Sequence, residues 1–132
     1  MQQSTEGATL SAMSLRCLLV DDDPRFRDEA RRLLEREGVI VVGVAASGDE
    51  AIQVAEARAH DVALVDISLG DESGFDVARR LMDESKASTP AVIFVSTHDE
   101  AEFSDRIAAS PALGFIAKTE LSAERIRELL AD

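Results

Sequence analysis

The chain has 132 residues, 45% hydrophobic and 30% charged, enough for one globular domain with a buried core and little more. With 26 acids against 14 bases the net charge is −12, so most of the surface repels a phosphate track and direct nucleic-acid binding by this chain is not expected. No run approaches the ~18–20 apolar residues of a membrane span, the opening MQQSTEGATLSAMS lacks the basic start and apolar stretch of a signal peptide, and the single cysteine, Cys17, excludes an internal disulfide and suits a reducing cytosol.

Residues 1–14 are small and polar without a usable period and read as a flexible extension, leaving 15–132 for the folded domain. From Leu15 onward two patterns alternate. Apolar runs rich in β-branched residues at 15–20, 39–44, 62–65, 91–95 and 113–117 have the length and composition of buried strands. Helix-period segments separate them. Phe26, Ala30, Leu33 and Leu34 share one face of a first helix, with Asp23 as N-cap, Pro24 at the first helical position and Gly38 as the stop. Ser47 and Glu50 have capping-box spacing before a second helix over 51–58. Phe75, Ala78, Leu81 and Met82 mark a third, Phe103 and Ile107 a shorter fourth, and Ile126, Leu129 and Leu130 a fifth. Pro90 and Pro111 fall in connections. Five strands alternating with five helices predict an α/β fold: a doubly wound, flavodoxin-like parallel sheet with helices on both faces.

Ligands of such sheets gather beyond the carboxyl ends of the strands. There the first run ends in Asp21, Asp22 and Asp23, the third in Asp66, the fourth in Ser96 and Thr97, and the fifth in Lys118. Crowded carboxylates resist ionising together unless a hard cation joins them. Mg²⁺ prefers oxygen ligands and needs only one or two carboxylates beside a phosphate. With a lysine nearby, the set has what phosphoryl transfer requires, and an aspartate can act as the nucleophile.

The run LLVDDDP at 18–24 resembles the opening of bacterial response-regulator receiver domains of two-component systems. So does DVALVDISL at 61–69, with Asp66 at the phosphoacceptor position, and so do Ser96 and the GFIAK segment at 114–118. The resemblance covers roughly residues 15–131. It implies Asp66 as phosphoacceptor; Asp22 and Asp21 as the Mg²⁺-binding acids together with Asp66 and the backbone carbonyl of Ser68; Ser96 as the switch hydroxyl; Lys118 as the phosphoryl partner; and Phe115 as the switch aromatic. His98 then stands near the mouth of the site. The implied partners are a histidine kinase or phosphotransfer protein, or a small phosphodonor, with output through the surface of the fourth helix, fifth strand and fifth helix toward a partner or a second copy. The implied location is the cytoplasm, and the implied role is signalling rather than turnover of a substrate.

Two positions depart from the family pattern. Gly70 replaces a common proline and implies a looser loop after Asp66. Thr119 replaces the proline that follows the lysine, where the family commonly has a cis bond; a cis Lys-Thr bond would cost about 3 kcal/mol, so trans is expected. Three other readings remain: the receiver part of a longer transcription factor, an unphosphorylated pseudo-receiver that only binds partners, and an aspartyl-phosphate phosphatase. The last places its nucleophile after the first strand in a pattern this sequence does not carry. Acids rather than glycines follow the first strand, which disfavours a nucleotide site.

Overall fold

A computed structural model describes residues 15–83, 89–98 and 100–131. The extension read over 1–14 lies outside these residues, as does Asp99. Five parallel strands, β1 (Arg16–Val20), β2 (Ile40–Ala45), β3 (Val62–Asp66), β4 (Val92–Ser96) and β5 (Gly114–Ala117), form one sheet in the order β2-β1-β3-β4-β5. The helices between and after them are α1 (Pro24–Arg36), α2 (Gly48–Ala57), α3 (Gly74–Asp83), α4 (Ser104–Ala108) and α5 (Ala123–Ala131). This is the predicted doubly wound architecture.

The central strands are apolar on both faces because helices cover both. Successive side chains point to opposite sides. Leu18, Val20, Ala63, Val65, Val92, Phe94 and Phe115 therefore pack with α2, α3 and α4 through Ala51, Ala55, Ala78, Leu81 and Ile107. Their neighbours Cys17, Leu19, Val62, Leu64, Ile93, Val95 and Ile116 pack with α1 and α5 through Ala30, Leu34, Ala123 and Ile126. Each fully buried Leu or Ile contributes about 2 kcal/mol by leaving water. Burial pushes the Cys17 thiol up to about 12, so it is inert filling at neutral pH.

The caps form where the sequence places them. Asp23 accepts from Arg25 N at 3.0 Å, with Pro24 opening α1. Gly38 takes the left-handed φ of +91° beyond the end of α1. Ser47 Oγ accepts from Glu50 N at 3.2 Å, while Glu50 Oε1 accepts from Ala46 N at 2.7 Å rather than from the cap residue itself. The fourth helix is short, as its pattern implies: a 3₁₀ turn at Glu100–Glu102 precedes the five residues of α4.

The loop after β3 is more built than expected. Gly70, at φ +60°, turns the chain so that Ser68–Leu69 pairs antiparallel with Glu72–Ser73. Glu72 Oε1 then accepts from Gly48 N at 2.8 Å, tying this loop to the start of α2. Glycine therefore replaces one loop constraint with another: the left-handed residue permits a hairpin that proline cannot form. At the opposite end of the sheet, the buried ring of His60 donates from Nδ1 to the Arg58 carbonyl at 3.0 Å and meets Thr89 Oγ1 through Nε2 at 2.9 Å, joining the approaches to β3 and β4.

Gly74 opens α3 directly under β3, its N–H donating to the Ile67 carbonyl at 2.6 Å. A Cβ there would overlap the carbonyl oxygen of Asp66 and crowd the Ile67 backbone. Backbone cannot yield as a flexible side chain does. Gly74→Ala is expected to cost about 3 kcal/mol or to displace the Asp66 turn, read as a lower midpoint in urea denaturation followed by circular dichroism. An unchanged midpoint would show that β3 and α3 approach less closely than described.

Candidate functional site

The parallel register sets the site. Val20 lies beside Val65, and Asp66 beside Val95, so the residues just past β1, within the last position of β3 and at the end of β4 emerge on one sheet edge. Asp21 leaves β1 with its N–H bonded to the Ala45 carbonyl at 2.9 Å, and its own carbonyl accepts from Arg27 at 2.7 Å. One Asp21 oxygen, Oδ1, accepts from Asp23 N at 2.9 Å, which shapes the turn into α1. The Arg27 contact was not legible in the sequence. A helix arginine six residues past an acid is usually a solvated charge.

Asp21, Asp22 and Asp66 each bring a carboxylate oxygen within 4.8 Å of the others. Asp21 and Asp66 are almost fully buried, with side chains 2% and 11% exposed, whereas Asp22 reaches solvent. Lys118, at the end of β5, closes the group. Its Nζ lies 2.7 Å from Asp21 Oδ2 and 3.2 Å from Asp66 Oδ2. The second Asp66 oxygen accepts from Ser68 N at 3.2 Å. Asp21 Oδ2, though close to the ammonium, has no aligned hydrogen bond. A buried carboxylate oxygen in that condition is a ready ligand for a hard cation, and the all-oxygen donor set fits Mg²⁺.

Electrostatics follow from this crowding. Burial first, and the negative charge of Asp21 second, push the Asp66 carboxyl up to about 6 against the opposing pull of Lys118 and the Ser68 N–H. Burial opposes the charge on Lys118, but Asp21 and Asp66 together hold it above its ordinary value. The lysine is therefore a fixed cation at any physiological pH.

Ser96 is buried at the end of β4. Its Oγ accepts from His98 N at 2.9 Å and lies 3.3 Å from His98 Nδ1. It does not cap α4, which begins eight residues later behind Phe103 and has no side-chain cap. Thr97 is exposed. The His98 ring meets Phe103 edge-on at 6.0 Å, outside the carboxylate cluster. Phe115 is buried within β5, its ring already inside the core shared with α2 to α4. Lys118 opens a 3₁₀ turn through Glu120, and no cis peptide bond occurs among the described residues. The Lys118–Thr119 bond is thus trans, as the missing proline implies.

Residues 17–131 match the sequence profile described as the response regulator receiver domain. The chain belongs to that family. The receiver is 31% identical to the response regulator UvrY of Escherichia coli over 102 residues, which are 76% of this chain and 46% of that protein. Among solved structures, the signal receiver domain of NarL from Mycobacterium tuberculosis superposes with a TM-score of 0.76 at 29% identity, covering 90% of this chain and 98% of that one. A response regulator from Burkholderia pseudomallei, solved with a phosphorylated aspartic acid, a calcium ion and citrate, gives 0.74 at 26%, covering 89% of this chain and 66% of that one. The chain spans about half the length of curated relatives such as UvrY, so their whole-protein activities reach beyond it. Among the described residues no helix is long and apolar enough to cross a membrane.

The raised carboxyl of Asp66 sets a stability consequence for the metal-free receiver. Its folded-state value of about 6 exceeds the unfolded one, so the fold prefers the neutral acid. Ionisation costs nothing at pH 4, a growing amount from pH 4 to 6, and its full penalty above. Asp66→Asn is expected to match the wild type near pH 4 and to exceed it by about 1 kcal/mol at pH 7.5, after discounting for solvent at the site. Thermal melts in chelator at both pH values measure it. A variant equally or less stable at pH 7.5 would contradict the charge crowding.

Proposed function

We propose that this receiver takes a phosphoryl group onto Asp66 from a histidine kinase, a phosphotransfer protein or a small acyl phosphate. The observation that carries this reading is a nearly buried carboxylate held 3.2 Å from a nearly buried lysine, with two further carboxylates beside it. A carboxylate oxygen of Asp66 attacks phosphorus, the bond to the donor's leaving atom breaks, and the donor leaves with the electron pair. Lys118 stays within reach of Asp66 and neutralises the transferring oxygens. Asp21, Asp22 and Asp66 would hold Mg²⁺, with the Ser68 carbonyl as a further ligand on the family resemblance. When bound, the ion supplies positive charge against the carboxylates and the phosphoryl oxygens.

The product carries about two negative charges. Ser96 is the group set to answer them. Its oxygen already accepts from His98 N, and its single hydrogen remains to be shared between His98 Nδ1 and a phosphoryl oxygen. Drawing the hydroxyl toward the phosphoryl group pulls the segment between β4 and α4, which packs against the Phe103 and Phe115 side of the core. The surface of α4, β5 and α5 then presents the phosphorylated state to a partner or to a second copy. Phosphorylation biases that surface only by interacting differently with its two arrangements. The receiver unit in this reading is taken as residues 15–132, supported by the family match over 17–131. The matched segment makes up less than half of the response regulator UvrY, which supports a receiver that reports to a further domain. Neither the pseudo-receiver nor the phosphatase reading is favoured by any observation, since the reactive groups are present and Asp66 ends β3 rather than β1.

Intact mass after incubation with acetyl phosphate tests this. Wild type is expected to gain one phosphoryl group only with Mg²⁺, Asp66→Asn to gain none, and Lys118→Met to react roughly a hundredfold more slowly. No gain in wild type under any condition would move the function to constitutive partner binding.

A further inference from the structure

Lys118 has a third neighbour besides the two carboxylates. Its Nζ lies 4.3 Å from the centroid of the Phe26 ring. Phe26 stands in the first turn of α1, three residues after the Asp23 cap, on the face it shares with Ala30 and Leu33. Those residues, with Leu121 of the segment after β5, line a hollow of about 360 Å³ that opens beside Lys118. One turn of helix therefore fixes both the acids of the site, through the Asp21–Asp23 bend, and an aromatic face under the lysine.

Resting on the phosphoryl-transfer reading, we infer that Phe26 is a positioning residue for Lys118. A cation over an aromatic face is attracted by the ring quadrupole, most strongly where water is excluded, and the Lys118 side chain is 11% exposed. The carboxylates beside it change charge during the reaction: Asp66 becomes an acyl phosphate, and Asp21 is a candidate metal ligand. The ring does not change. It holds Nζ near the transferring oxygens while its ionic partners are redistributed. Lys118 stands at the head of a 3₁₀ turn, joined to Thr119 by a trans bond, and no proline stiffens that segment.

The test uses the full chain with acetyl phosphate and Mg²⁺, comparing wild type, Phe26→Leu, Phe26→Tyr, Lys118→Met and the Phe26→Leu/Lys118→Met pair. Phe26→Leu keeps apolar bulk and removes the ring; Phe26→Tyr keeps the ring, and the adjoining hollow has room for its hydroxyl. The expected result is a limiting rate lowered roughly three- to tenfold by Phe26→Leu with half-saturating donor unchanged, near-normal rates for Phe26→Tyr, and less than a twofold effect of Phe26→Leu once Lys118 is methionine. An NMR arm needs no phosphorylation: the Lys118 ε-methylene protons should carry a ring-current shift that Phe26→Leu abolishes and Phe26→Tyr retains. Equal slowing by the Leu and Tyr variants, or an undiminished Phe26→Leu effect in the Lys118→Met background, would reduce Phe26 to packing. Wild type that takes no phosphoryl group overturns the phosphoryl-transfer reading, and the ring-current shift then decides by itself whether Phe26 holds the lysine.

Discussion

One ammonium organises the acid pocket. Lys118 sits 2.7 Å from Asp21 and 3.2 Å from Asp66, and all three side chains are nearly buried. Two carboxylates that close would resist sharing a site without it, and a buried lysine would surrender its proton without them. The balance is incomplete: one cation faces three acids, counting Asp22, and Asp66 is left with a carboxyl pushed up to about 6. Residual negative charge would favour a divalent cation in the pocket, and it leaves Asp66 poised between neutral and ionised forms.

The rest of the fold delivers these groups to one edge. Parallel pairing of β1, β3 and β4 brings their carboxyl ends to the same side, and β5 adds Lys118 beside them. Two glycines then set the loop after Asp66. Gly74 lets α3 start against the backbone of β3, and Gly70 closes the hairpin whose Glu72 reaches α2. The strain of gathering like charges is met by packing on both faces of the sheet, from elements far from the site.

Much of this was legible from residue order. The five strands, the Asp23 and Ser47 caps and the meeting of Asp21, Asp22, Asp66 and Lys118 follow from period, cap chemistry and the rule for open parallel sheets. Contacts between distant segments were not. The hold of Arg27 on the Asp21 carbonyl, the bond from Gly48 N to Glu72, and the His60–Thr89 pair each join residues whose separate sequence contexts look like ordinary surface polarity. Phe26 was read correctly as a core-facing helix residue, yet its place under Lys118 depends on how α1 packs beside the end of β5, which no local pattern encodes. Gly70 was misjudged in sense. Read alone it means freedom; in place it makes a turn that restrains the loop.

On the proposed function, a divalent cation relieves the residual negative charge of the Asp21, Asp22 and Asp66 group. Carboxyl ¹³C NMR of the aspartates, titrated with pH in chelator and then in saturating Mg²⁺, tests it most directly. Shifts on adding Mg²⁺ are expected to concentrate at Asp21, Asp22 and Asp66, with the Asp66 midpoint falling from about 6 by roughly one unit or more. An Asp66 midpoint in the ordinary carboxylate range without metal, or one that Mg²⁺ leaves in place, would contradict it.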